Sequence, residues 1–320
     1  MPPQFWIWAL VVLSAVLLIY WWFAQRALVQ MRAQVMGKQR AVASVLGPKL
    51  VPFGEKMEGW ARELATNSSP AFVGDAWDYE EVARSPGVYL RVRLENAREA
   101  VSLRKAAVRS LHDGFTACFF RNSRAYDPTV GPPCVTSSAC QPHFLCNEYN
   151  VCVEPPRPYN MRLAYRALRV LSPQWTDELH LADSELAITA YERDLESVIQ
   201  HDVPIAVDIW TQARYATIVL DEAPAEGLPA LAPGDPETPE EQLQRVPHFA
   251  RVGVWRVKDG APLLRIRGWA GGSLVSAAGS AEVSAASAAA QARQANSCSL
   301  ALQVRASAKP NPAQPAPSKE

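Results

Sequence analysis

Cysteines 134, 140, 146 and 152 recur at every sixth position in "CVTSSACQPHFLCNEYNVC". Sulfur at such spacing can hold a metal as thiolates or cross-link the chain as disulfides. A zinc site would draw on Cys134, Cys140, Cys146 and Cys152, or on three of them with His143. Structural zinc, however, takes its ligands from tight pairs two to four residues apart, and uniform gaps of five do not make such knuckles. Prolines bracket the stretch at 132–133 and 155–158, and it holds too few apolar side chains for a core of its own. Two disulfides are therefore expected, with three pairings open. Cys118 and Cys298 make the total even. They either form a third bridge between distant parts of the fold or remain two buried thiols packed as small hydrophobes.

Other chemistry is sparse. The chain has no nucleophile elbow, phosphate loop, dinucleotide fingerprint or zinc-protease helix, and no cofactor is expected. Its five histidines, at 112, 143, 180, 201 and 248, are scattered. His112 and Asp113 precede Cys118 closely enough to suggest a Cys/His nucleophile pair, but a cysteine inside "TACFF" reads as a buried structural residue. Arg251, Arg265 and Arg267 lie near Trp255 and Trp269, and such a basic, aromatic sheet face could contact a polyanion. A solvated face explains them equally. Basic and acidic residues number 32 each, so bulk charge selects no polyanionic partner and nucleic acid is not expected.

The motif C-x5-C-x5-C-x5-C, with Ser138-Ala139 before the second cysteine and Asn147 after the third, resembles the Dickkopf-type cysteine-rich modules found in predicted exported bacterial surface proteins. The resemblance covers residues 134–152. It implies an oxidising, exported location and a binding surface, and it transfers no catalytic residue.

The elements around these residues begin with residues 5–23, "FWIWALVVLSAVLLIYWWF", in which Ser14 and Tyr20 are the only polar groups. At about 1.5 Å per residue this helix measures roughly 28 Å, close to the hydrocarbon thickness of a bilayer. Trp6 and Trp8 at one end, and Tyr20, Trp21 and Trp22 at the other, form the aromatic belts of a spanning anchor over residues 1–23. A cleaved signal peptide would need a basic start and small residues at its end. Orientation divides two rules. Arg26, Arg32, Lys38 and Arg40 follow the span and argue for a cytoplasmic domain, whereas the cysteines argue for the periplasm or cell exterior. The expectation is an N-in, C-out anchor.

Residues 24–73 form a juxtamembrane helical stalk and linker. Leu28, Met31, Val35, Val42 and Val45 make an a/d stripe with Lys38 in one slot. Its partner is a second copy, by self-association through 28–45, or the chain's own domain or the lipid surface, which so short a stripe favours. Gly47-Pro48 is expected to end the helix.

Residues 74–308 then form an α+β domain with a mixed, mostly antiparallel sheet, a cysteine-rich insert at 131–158 and an acidic, Pro-rich loop at 222–247. Strands are expected at 87–94 (half-buried, with Tyr89, Arg91 and Arg93 outward), "FTACFFR", "PIAVDIW", "RYATIVL", a hairpin about Asp259-Gly260, and "SLALQVR". Helices are expected from Asn96, which would cap, to Leu111, over 159–171, over 183–200, and in the Ala-rich stretch 276–296. Residues 309–320 read as a disordered tail. The sequence thus describes a single-pass cell-envelope protein whose extracytoplasmic domain binds a protein or polymer of the envelope. The alternatives are an envelope enzyme without a recognisable motif and a cytoplasmic domain holding zinc at the four cysteines.

Overall fold

A computed structural model describes residues 3–66, 71–110, 113–120, 131–136, 139–141, 144–146, 150–153, 159–228, 237–272 and 285–307. The Ala-rich residues 276–284 and the tail 309–320 lie outside that set.

The largely apolar run "YATIVLD" forms β6 (Tyr215–Asp221), in which every residue is buried, Thr217 and Asp221 included. Such a run signals a strand covered on both faces. Its neighbour β2 (Gly87–Arg93) runs parallel to it, from Gly87 opposite Tyr215 to Arg93 opposite Asp221. β2 alternates as expected, but it is not half-buried. Val88, Leu90 and Val92 face one core, while Tyr89 faces a second on the side expected to meet solvent. β7 (His248–Arg256) and β8 (Pro262–Ala270) form the expected hairpin, turning at Gly260, whose φ of +73° suits a residue without a Cβ. β1 (Phe72–Val73) and β5 (Tyr159–Asn160) complete the order β1-β8-β7-β6-β2-β5. β5 and β6 flank β2 in parallel and the other pairings are antiparallel. The fold is α+β with a mixed sheet between two helical layers.

One layer is dominated by α1 (Pro3–Thr66), a single helix of 64 residues. It does not stop at Gly47-Pro48, and it contains both Pro48 and Pro52. Val35, Leu50, Phe53, Met57, Trp60, Ala61 and Leu64 are all buried in the domain core. Burying each large side chain contributes about 1.5–3 kcal/mol, which offsets the roughly 3 kcal/mol that an interior proline costs. The stripe expected on a free stalk is thus the start of a domain-packing face. Val35 is buried, Leu28 and Met31 pack against the core, and Val45 is exposed. The folded domain begins at about residue 28, well before the expected residue 74. Before it, the N-terminal part of α1 is long and apolar enough to cross a membrane.

Beside α1 lie α3 (Ala100–Ala107), α5 (Met161–Val170), α6 (Pro173–Leu181), α7 (Glu185–Ser197) and α8 (Val203–Gln212). α3 begins after a 3-10 turn at Asn96–Arg98, so Asn96 does not cap it. "PIAVDIW" is in α8 and not a strand. Its proline sits in the first turn, directly after the π-helical turn Val198–Asp202 that joins α7 to α8, and Ala206 and Ile209 bury one face.

The opposite layer holds α2 (Tyr79–Arg84), α4 (Gly114–Phe119) and α10 (Ala285–Ser307). "FTACFF" is helical because Asp113 caps it, accepting from Phe115 N and Thr116 N while Thr116 Oγ1 accepts from Asp113 N. Phe115 and Phe119 then stack on one face, 5.1 Å apart. "SLALQVR" closes α10 and is not a strand. Leu300 and Val304, four apart, are buried, while Leu302 faces solvent. The acidic loop is helical in part, as α9 (Pro239–Arg245) packed against α10.

Candidate functional site

A cavity of about 360 Å³ opens where the carboxyl ends of β2 and β6 meet α4, α9 and α10. Crevices at the carboxyl ends of parallel strands are where α/β sheets commonly take ligands. Its floor is Arg91, only 2 % exposed at its side chain. The guanidinium donates from Nε to Asp221 Oδ2 (2.7 Å) and from Nη2 to Asp221 Oδ1 (2.8 Å), a bidentate pair. Its Nη1 donates to Asp113 Oδ2 (2.6 Å) and to Ser297 Oγ (2.9 Å). Tyr89 donates its hydroxyl to Asp113 as well, at 3.0 Å. His248 places Nε2 3.0 Å from Asp221 Oδ1 and Nδ1 2.7 Å from Val246 O. Each ring nitrogen thus has an oxygen within hydrogen-bond reach.

The charges fix the protonation of this floor. Burial alone would raise the Asp221 carboxyl, yet Arg91 and then His248 hold it far below the ordinary carboxylate range. Burial, reinforced by the Asp113 charge, pushes the Tyr89 hydroxyl well above its ordinary value. Each nitrogen of the Arg91 guanidinium is committed to a partner. The floor is a charge lock, suited to fixing a shape and not to exchanging protons.

The walls are more open. Gly114 starts α4 directly against α10, where a Cβ would lie 3.0 Å from that of Ser297, so the missing side chain permits the close approach. Arg109 is exposed at the rim and has no side-chain partner among the described residues. Arg293 pairs with Glu237 across the mouth. On the remaining side, α9 is held by a capping box: Thr238 Oγ1 accepts from Glu241 N (3.2 Å), and Thr238 N donates to Glu241 Oε2 (2.8 Å). Thr238→Ala removes that cap and is expected to cost about 1 kcal/mol, measured by urea unfolding. An unchanged midpoint would show that α9 does not depend on the box.

The cysteines are all paired. Cys134 joins Cys146 and Cys140 joins Cys152, one of the three open patterns. The insert is organised around β3 (Leu145–Cys146) and β4 (Cys152–Val153), an antiparallel pair. Cys152 N donates to Pro132 O and Cys134 N to Asn150 O, at 2.7 and 2.8 Å. The sulfurs of Cys134, Cys140 and Cys152 do lie within 4.8 Å of one another, but cystine sulfur is not the thiolate that zinc requires. Cys118 bridges to Cys298 across α4 and α10, with Cα atoms 5.3 Å apart. A nucleophile at Cys118 is therefore ruled out in this structure. His112 and His143 lie outside the described residues.

The arginines proposed for a polyanion do converge, but on carboxylates. Arg251 and Arg267 share Glu222 (2.8 and 2.7 Å), and Arg265 pairs with Glu63 (2.6 Å). Burial alone would raise the Glu222 carboxyl, yet Arg267 and Arg251 hold it below its ordinary value. Arg251 also caps the last turn of α1 at Leu64 O and Ala65 O. Trp255 is buried and stacks on Trp60, 5.7 Å away, whereas Trp269 stays at the surface against Phe249. This face is where α1 is fastened to the sheet.

Comparisons with protein-family models, with curated proteins and with solved structures give no match to this chain. The sequence places Arg91 outward and ties Asp113 to Cys118, and it singles out neither Asp221 nor His248 as site residues. A signal did exist: the largely apolar run of β6 implies cover on both faces, and an arginine on the strand beside it must then find buried carboxylates.

Proposed function

We propose that the chain is a single-pass membrane protein of the cell envelope, whose disulfide-bonded domain lies outside the cytoplasm and serves as a binding module. The observation that carries this is the Cys118–Cys298 pair. It ties two helices of the core, 180 residues apart in sequence, as a structural cross-link does in an oxidising compartment. The basic residues after the apolar segment, which argue for the opposite orientation, have work within the fold. Lys38 bridges Glu192 and Glu196, and Arg32 donates to Ala182 O. Binding is favoured over catalysis because the charged groups of the cavity floor are already partnered with one another, while its rim keeps Arg109 accessible. The cysteine insert, with Val135 largely outward, is a second rigid contact element.

Thiol labelling of intact and lysed cells, with and without reductant, tests this. All six cysteines are expected to stay unmodified until reductant is added, in lysed cells as well as intact ones. Labelling that needs lysis but no reductant would place the domain in the cytoplasm.

A further inference from the structure

Leu181 ends α6 and Leu186 begins α7, and they are 82 % and 81 % exposed. Two leucines so open on one short turn call for a partner. Their position relative to α1 supplies it. Lys38 reaches Glu192 and Glu196, while Arg32, earlier on α1, reaches Ala182. α7 therefore runs parallel to α1 with its first turn pointing toward the apolar end. The domain core extends along α1 as far as Leu28. Arg32, which holds Ala182 in the turn, is nine residues past Phe23, or about 13.5 Å of helix, and its long side chain leans back toward the apolar end. The headgroup layer on each side of a bilayer is itself roughly 5–8 Å deep.

We infer that the α6–α7 turn rests in the headgroup layer of the bilayer that residues 5–23 cross, with Leu181 and Leu186 reaching the acyl boundary. Two leucines alone would hold a lipid surface weakly. Tethered beside a spanning helix, they meet it at high effective concentration. Asp183 and Glu185 lie between them in the chain and Arg32 is bonded at Ala182, so the charge at the turn is mixed and the contact is made by the exposed leucines. Zwitterionic lipid is the surface proposed. The domain is thereby seated on the membrane and does not hang from it. This rests on the membrane-spanning reading above.

The test uses the full chain in phosphatidylcholine nanodiscs, with a nitroxide on Leu181→Cys, Leu186→Cys, Ser14→Cys or Val101→Cys in turn. No described cysteine is free, so the introduced thiol is the one labelled, and each protein must keep the parent's melting temperature. Ser14 reports the apolar segment. Val101, on the α3 that Arg104 ties to Glu58, reports the far end of the domain. The expected result is an oxygen-to-nickel-chelate collision ratio at 181 and 186 several-fold above that at 101 and approaching that at 14. Ratios at 181 and 186 equal to that at 101, with 14 still oxygen-rich, would overturn the docking and leave the span standing. A nickel-accessible residue 14 would overturn both.

Discussion

Arg91→Met is expected to lower the unfolding free energy by about 3–5 kcal/mol, because it strands Asp221 and Asp113 without their shared cation. Asp221 is buried beneath the cavity, and its bidentate partner is gone in the variant. Urea unfolding followed by near-UV circular dichroism gives the number. Adding Asp221→Asn to the same chain removes one stranded charge and recovers part of the loss. A cost under about 1 kcal/mol would mean that the two carboxylates find other partners. The lock also carries a pH signature. The Asp221 carboxyl titrates far below its unfolded value, so the folded state holds fewer protons than the unfolded one in acid. Its contribution is complete above about pH 4 and is lost as pH falls further. In Arg91→Met this acid-side loss shrinks, since the depressing charge is absent.

Removal of the Cys118–Cys298 cross-link, as Cys118→Ala with Cys298→Ala, is expected to cost about 2–5 kcal/mol. The separation of 180 residues is fifteen times the 12 that each disulfide of the insert spans, and longer closed loops restrict the unfolded chain more. The bridge also sits where Gly114 lets α4 press on α10, so the variant leaves a small void in addition. Denaturant unfolding of the double variant and of the parent under oxidising conditions measures it. Equal midpoints would show that packing alone holds α4 to α10.

Much of the fold could be read from periodicity. β6, the hairpin, α5 and α7 all follow patterns in which local preference and burial agree. Three segments did not. "FTACFF", "PIAVDIW" and "SLALQVR" are rich in residues that suit strands, and each is helical because of a feature outside the pattern: the Asp113 cap, a first-turn proline, and an alanine-rich run that has already met the cost of nucleation. Pro48 misled for a related reason, since the penalty it imposes is smaller than the burial that α1 gains on either side. The site was hidden by the same arithmetic. Arg91 alternates as a solvent-facing residue would, and only the layer contributed by α4 and α10, distant in sequence, turns that position inward. The pairing of the insert cysteines needed backbone geometry that spacing does not contain.

α1 runs as continuous helix from its apolar start to its buried end, with Pro48 and Pro52 inside it, and that continuity has a mechanical consequence. From Phe23 to Thr66 the rod measures about 64 Å. On the proposed placement, a lipid-imposed tilt of about 20° swings its far tip by roughly 22 Å. Bilayer thickness then becomes a setting for which way the Arg91 cavity points, and a thinner or thicker membrane re-aims it without changing a single internal bond.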